Sequence, residues 1–488
     1  MKYCNRCGNH LNSTAKYCNK CGNHIRYTGK IFLGKCFHLF VVSVIVLSGV
    51  GYAFYNGKLN GLLPQENTFK VTSAITAIVD NKQDNVKRIG NFEFVVKKPM
   101  SFSKGETPSS WTKKFVYWND KYVFSSFTGL KSFNIQTYSN VDNQLVPDSS
   151  VFGEAHITNW QLAKESMLKV DGNFVNVTKE IHLPTFTYPS VDANNNLWFS
   201  NTNYNSSFPG LFIYDGKEMQ YKFSYDNILL PPRHSKYLGL TGLRFSPNDK
   251  FAVAFVKDKK FVNTIPLMED RKIAKALDLD TAVVKFEKKG TQIKRAELVV
   301  NFWDKRDRNI KNLNVLNIYD VFIDDEEKLY MVTEPSNKHR KDDNLLMYQF
   351  YVFDKNLKVL NKYEYIEPMK RYGPHKSIRS TSVSSVLELK SNFLVFTTEG
   401  ISNSSDSDIK AYQLEEYDNP KIHVFSKDGK KLTEISLNEV LDIKYGCVDL
   451  STRISDDKFL LYVMEPKQIS GKKFKRIHKI YEVSLKAI

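Results

Sequence analysis

The chain has 488 residues, 42% of them hydrophobic and 13% aromatic, which is enough for a large domain with accessories and a sizeable core. Lys and Arg exceed Asp and Glu by 17, but eight of the basic side chains fall within residues 1–65, which hold no acid, so the charge reads as flanking an apolar segment and argues against nucleic-acid binding. Of the six cysteines only Cys447 lies beyond Cys36, which excludes an internal disulfide from the long C-terminal part and leaves its stability to packing.

Residues 1–27 open with Y-C-N-R-C-G and repeat the unit as Y-C-N-K-C-G after a ten-residue spacer. In each unit a glycine (Gly8 or Gly22) lets the backbone turn so that amides face the thiolates. Cys4, Cys7, Cys18 and Cys21 thus offer four sulfurs, a set that suits tetrahedral Zn2+. So short a stretch buries no core, and metal binding would supply its folding energy. Two disulfides are the rival arrangement, disfavoured in a reducing compartment. His10 and His24 each follow a knuckle and read as solvated. The stretch resembles the short zinc ribbon that opens many bacterial membrane proteins, whose pattern is matched by Cys4, Cys7, Gly8, Leu11, Ala15, Tyr17, Cys18, Cys21 and Gly22. The resemblance covers about 25 residues; it implies a structural zinc site that contacts another protein, and no enzymatic activity.

Residues 31–55 read as a transmembrane helix. The span 36–55 carries no acid, Lys or Arg, and at 1.5 Å per residue it matches the roughly 30 Å hydrocarbon thickness. Arg26, Lys30 and Lys35 precede it and only Lys58 follows closely, so the N-terminus is expected in the cytoplasm and the remainder outside the cell (inner) membrane. Tyr52, Phe54 and Tyr55 fit an aromatic belt. A cleaved signal peptide is the alternative, but its leading region would be unusually long and would hold a metal site. His38 reads as interfacial, and Gly49 with Gly51 does not make the GxxxG spacing.

Residues 56–90 read as a juxtamembrane linker, with Gly61 and Pro64 as breakers and 68–80 as strand or short helix. Strand character is clear at F-E-F-V-V-K, 92–97. From about residue 111 a polar turn followed by a short apolar strand recurs at 119–127, 194–202, 248–256, 326–334, 390–398 and 456–464, at spacings of 54 to 78 residues. Between copies lie hairpins: F-I-Y-D-G-K-E-M-Q-Y-K-F (212–223), Y-V-F-D-K-N-L-K-V-L-N-K-Y (351–363) and H-V-F-S-K-D-G-K-K-L-T-E-I (423–435). Two hairpins per repeat make a four-stranded antiparallel sheet, and several such sheets around an axis make a β-propeller. A pair of β-sandwiches with an accidental rhythm is the alternative. The expected class is therefore mostly β, with 91–488 forming a propeller of about six to eight blades, part of 265–300 inserted and a short helix at 273–279.

The segment 190–217, S-V-D-A-N-N-N-L-W-F-S-N-T followed by G-L-F-I-Y-D-G-K, resembles the repeat of two-component-regulator-type propellers. The segment 244–255, R-F-S-P-N-D-K-F-A-V-A-F, resembles the TolB and WD-repeat turn. The remaining copies are degenerate. The resemblance implies a fold that binds ligands or proteins at a face or a central channel and does not name the ligand.

No nucleophile elbow, phosphate loop, paired metal histidines or carboxylate signature is present, so no catalytic residue is assigned and the reading leans away from an enzyme without deciding the point. His156, His182, His234, His339, His375, His423 and His478 are scattered and read as solvated or packed. Cys447 reads as a buried free thiol. The acidic run 324–327 could hold Ca2+ but suits a solvated turn better, and the basic stretch 472–479 suits a solvated strand face better than a membrane surface. The expectation is a single-pass binding or sensor protein, its outer domain recognising a ligand or partner and its zinc module contacting a cytoplasmic protein. A membrane-anchored propeller hydrolase and an envelope scaffold without signalling are the alternatives.

Overall fold

The computed structural model describes residues 2–3, 10–11, 85–103, 107–108, 112–127, 133–158, 161, 169–170, 173–174, 186–201, 208–229, 238–258, 282–302, 310, 313, 315–335, 344–368, 370–372, 377–401, 419–470 and 473–488. The chain divides into two units, Met1–Gln83 and Asp84–Ile488. In the first, a two-stranded antiparallel ladder pairs Lys2 with Leu11 and Tyr3 with His10. The cysteines Cys4, Cys7, Cys18 and Cys21, the apolar span 36–55 and the stretch 68–80 lie outside the described residues. No helix among the described residues is long and apolar enough to cross a membrane.

In the second unit each of the six recurring segments is the second strand of an antiparallel sheet. Those strands are Lys121–Phe127, Leu197–Asn201, Phe251–Asp258, Leu329–Pro335, Asn392–Ile401 and Lys458–Ser470. Each follows a turn from an inner strand: Thr112–Trp118, Phe186–Val191, Leu238–Phe245, Val315–Ile323, Ser377–Glu388 and Cys447–Arg453. Four of these sheets stand alone, and an eleven-stranded sheet contains the first and the last, joined through Met100–Phe102. The inner strands neighbour one another in chain order, and the sixth meets the first. The arrangement is a closed, propeller-like ring of six blades among the described residues.

The packing follows from that ring. Six apolar clusters occupy the six spaces between successive blades. The cluster holding Phe115, Phe124, Tyr138, Leu460 and Tyr462 fills the space between the last blade and the first. Because a neighbour covers each face of a blade, second and third strands are buried on both sides: Leu197–Asn201 and Gly210–Tyr214 are buried throughout. That explains why they read as continuous apolar runs rather than as alternating ones.

Closure uses the two ends of the unit. Phe92–Val96 pairs with the C-terminal strand Lys473–Ala487 and so becomes the outer strand of the sixth blade, with Val96 opposite Val483 and Phe94 opposite Leu485. Asn85–Ile89 adds a further strand through a turn at Gly90, whose φ of +59° is left-handed. Strand pairing therefore begins inside the stretch read as linker. In the third blade Ala282–Lys289 and Gln292–Asn301 form the outer hairpin, so the connection that departs from the repeat is confined to 259–281. The helix expected at 273–279 lies outside the described residues. Of the stretch 472–479, residues 473–479 belong to the C-terminal strand, where Lys475 and Arg476 are exposed and Lys479 pairs with Glu465 at 2.7 Å.

Candidate functional site

The turns between first and second strands gather at one end of the ring, and their chemistry explains how they hold shape. In the second blade Asp192 Oδ1 accepts the backbone N–H groups of Asn194 and Asn196 at 3.0 and 2.8 Å, while its Oδ2 accepts the Trp198 indole N–H at 2.8 Å. The fourth blade repeats the device: Asp324 Oδ1 accepts from Glu326 and Lys328 at 2.9 and 2.8 Å, and Oδ2 accepts from the Tyr330 hydroxyl at 2.9 Å. An Asp six residues before an aromatic thus ties turn to strand in both copies. Trp198→Phe removes the donor and leaves part of the buried indole's volume unfilled, and is expected to lower unfolding free energy by about 3 kcal/mol, combining the lost bond to a charged acceptor with the cavity, read as a lower urea midpoint at unchanged slope.

The same turns link blades. Trp118 Nε1 donates to the Asn195 carbonyl at 2.8 Å. Asn194 Nδ2 donates to Asp249 at 2.9 Å, and Lys285 reaches Glu327 at 2.7 Å. Lys390 donates to Asp456 at 2.9 Å. The acidic run 324–327 is used up in this way, for Asp325 accepts the Asn248 N–H at 3.1 Å and Glu326 pairs with Lys328 at 2.6 Å. No cluster of three or more metal-ligating side chains occurs among the described residues.

Inside this rim is a cavity of about 520 Å3 to which every blade gives a residue: Tyr117, Asp192, Arg244, Phe322, Glu388 and Arg453. Glu388 is buried and accepts from Lys427 Nζ at 2.6 Å. Burial pushes the Glu388 carboxyl up and the Lys427 ammonium down, each opposed by the partner's charge. Lys427 also lies 4.1 Å above the Phe393 ring. Arg453 is exposed at the rim, and its guanidinium hydrogen-bonds no described residue.

Further along the axis is a second cavity of about 220 Å3, which shares Arg244 with the first. Arg244 Nε donates to Asp320 Oδ1 at 3.1 Å, and a second guanidinium nitrogen donates to Oδ2. Lys114 is buried there with its side chain in the cavity lining. Burial first, and then the Arg244 charge, hold its ammonium down to about 7, against the pull of Asp320.

The sequence reading assigned none of Lys114, Arg244, Asp320, Glu388 or Arg453. The available signal was one charged side chain within an otherwise apolar inner strand, as in G-L-R-F at 242–245 or I-Y-D-V-F at 318–322. Of the scattered histidines, His182, His234, His339 and His375 lie outside the described residues. His423 is buried against Tyr348 and Tyr365, where burial depresses its imidazolium to about 3 and keeps the ring neutral. His478 stacks on Tyr462, and His156 is exposed beside Gln136. Cys447 is buried and forms no disulfide, as expected.

No protein-family model and no curated protein matches the sequence. Among solved structures, the Dos1 propeller is similar at 8% identity with a TM-score of 0.34, over 81% of this chain and 72% of that one. The β-propeller domain of the trilobed protease from Pyrococcus furiosus is similar at 8% identity and 0.33, over 73% and 79%. A structure from work on two prolyl endopeptidases is similar at 10% identity and 0.35, over 81% of this chain and 49% of that one. At such scores the fold rests on the strand pairing and the closed ring of inner strands.

Proposed function

We propose that the chain is a single-pass, membrane-anchored binding or sensor protein. Its ring recognises a ligand or protein partner outside the membrane at the turn-lined end of the channel. Its N-terminal module holds Zn2+ through Cys4, Cys7, Cys18 and Cys21 and contacts a cytoplasmic protein. The observation that carries the reading is the 520 Å3 cavity to which all six blades contribute, with Arg453 open to an incoming group. The apolar span 36–55 with its cationic flank supports the anchor.

Proximity labelling on whole cells tests both halves, with the labelling enzyme fused to each end of the chain in turn. The C-terminal fusion is expected to enrich an extracytoplasmic partner that Arg453→Glu no longer captures. The N-terminal fusion is expected to enrich a cytoplasmic one that is lost when Cys4 and Cys18 become Ser. Enrichment from neither end, or cytoplasmic proteins around the C-terminus, sinks the reading.

A further inference from the structure

We infer that the inner cavity of the channel is a binding site for an anionic oxygen group, a carboxylate or a phosphate, gripped by Lys114 and Arg244. This rests on the proposed binding function and names the chemistry of what is bound.

Donors outnumber acceptors around one small space. The 220 Å3 cavity takes Lys114 from the first blade, Arg244 from the third, Asp320 from the fourth, Ser384 and Ser385 from the fifth, and Ser451 from the sixth. Its formal charge is two cations against one carboxylate. That carboxylate is spent: both oxygens accept from Arg244, and Oδ1 also accepts the Val321 N–H at 2.9 Å. Lys114 is only 9% exposed, yet its Nζ makes no hydrogen bond to any described residue. The Nζ is not one of the fully enclosed atoms without a partner, so it opens on the cavity, and its three donors face that space and not a protein acceptor. The hydroxyls point the same way. Ser385 and Ser451 oxygens lie 2.8 Å apart, so only one of their two hydrogens can lie between them and the other is free to turn to a third oxygen.

An oxygen anion supplies what is missing. It accepts from Lys114, takes the spare serine hydroxyl and balances the surplus positive charge. Its size suits the space, and because Arg244 lines both cavities the rest of a larger ligand would extend into the 520 Å3 mouth. The depressed Lys114 ammonium agrees with this geometry: burial holds it down first, and the Arg244 charge adds to that although Asp320 pairs with Arg244.

The test is calorimetric titration of the purified full-length chain with inorganic phosphate and, separately, with acetate. Saturable binding of at least one anion at one site per chain is expected, weakened at least tenfold in Lys114→Met and unchanged in Lys355→Met, an exposed lysine on a remote turn. Whichever anion binds more tightly names the group. Absence of saturable binding by both, or equal affinity in Lys114→Met, overturns the inference. If extracytoplasmic partner capture persists while anion binding fails, only the anion assignment falls; if capture fails as well, the binding function falls with it. Thermal melting of Lys114→Met shows independently whether the variant is folded.

Discussion

Lys288→Met is expected to lower the unfolding free energy by about 4 kcal/mol, the scale for stranding buried charge by deleting its partner. Lys288 Nζ lies 2.5 Å from Asp249 and 3.3 Å from Asp192, with the rings of Phe245 and Trp198 at 4.1 and 4.6 Å. The three charged side chains are 1%, 4% and 0% exposed. Asp192 belongs to the second blade and the other two to the third, so the triad fastens one blade to the next. Methionine fills the space but leaves two carboxylates out of water with no cation. Burial already raises the Asp249 carboxyl, and losing Lys288, its main opposing influence, raises it further. A carboxyl raised in the folded state binds protons that the unfolded chain has released, so stability falls as pH rises above the unfolded carboxylate range. The deficit of the variant should therefore be larger at pH 8 than at pH 5, measured by urea unfolding at both. A variant as stable as wild type, or one whose deficit grows towards acid, refutes this account of the triad.

Asp192 shows how far the sequence carried and where it stopped. S-V-D-A-N-N-N-L-W announces a turn with a capping Asp, and the structure has it. The carboxylate also meets an ammonium 96 positions later, and no local pattern can announce that. The same division holds throughout the ring. Second strands were legible because each is buried on both faces and follows a polar turn, which gives a compact apolar run after Asn, Asp or Lys. Inner strands were not, because one edge of each faces the channel, and Lys114, Arg244, Asp320 and Ser385 break the apolar pattern there. The outer hairpin of the third blade was missed for a different reason. Its turn is Gly290 and Thr291 rather than Asp-Gly, and Lys289, Gln292, Lys294 and Arg295 face solvent, so it reads as polar chain. Closure through Phe92–Val96 was unreadable because its partner strand begins at Lys473. The site suffers most from this, since it is assembled from single residues of six separate strands.

Lys114→Met should stabilise the protein by about 2 kcal/mol at pH 7, taken as about half of the upper bound that a fall from 10.5 to about 7 sets at 1.36 kcal/mol per unit, because the channel admits some water. The direction follows from burial: the folded state resists charging Lys114 while the unfolded chain charges it freely below 10.5. Between about 7 and 10.5 the unfolded chain therefore holds more protons, and wild-type stability rises with pH across that window. Below about 7 the folded protein carries the full penalty. Methionine cannot charge, so the variant lacks this slope; its advantage is complete at pH 7 and shrinks towards pH 10.5. Urea unfolding at pH 7, 8.5 and 10, with matched slopes, measures the difference. A less stable variant, or an unchanged pH slope, would mean that Lys114 has a partner that satisfies it. Stabilisation by deletion marks a side chain kept at the expense of the fold, the behaviour expected of a binding group and not of a structural one. Adding the anion that fits the channel should narrow or reverse the order, because it gives the wild-type ammonium an acceptor in the folded state alone and leaves the methionine variant where it was.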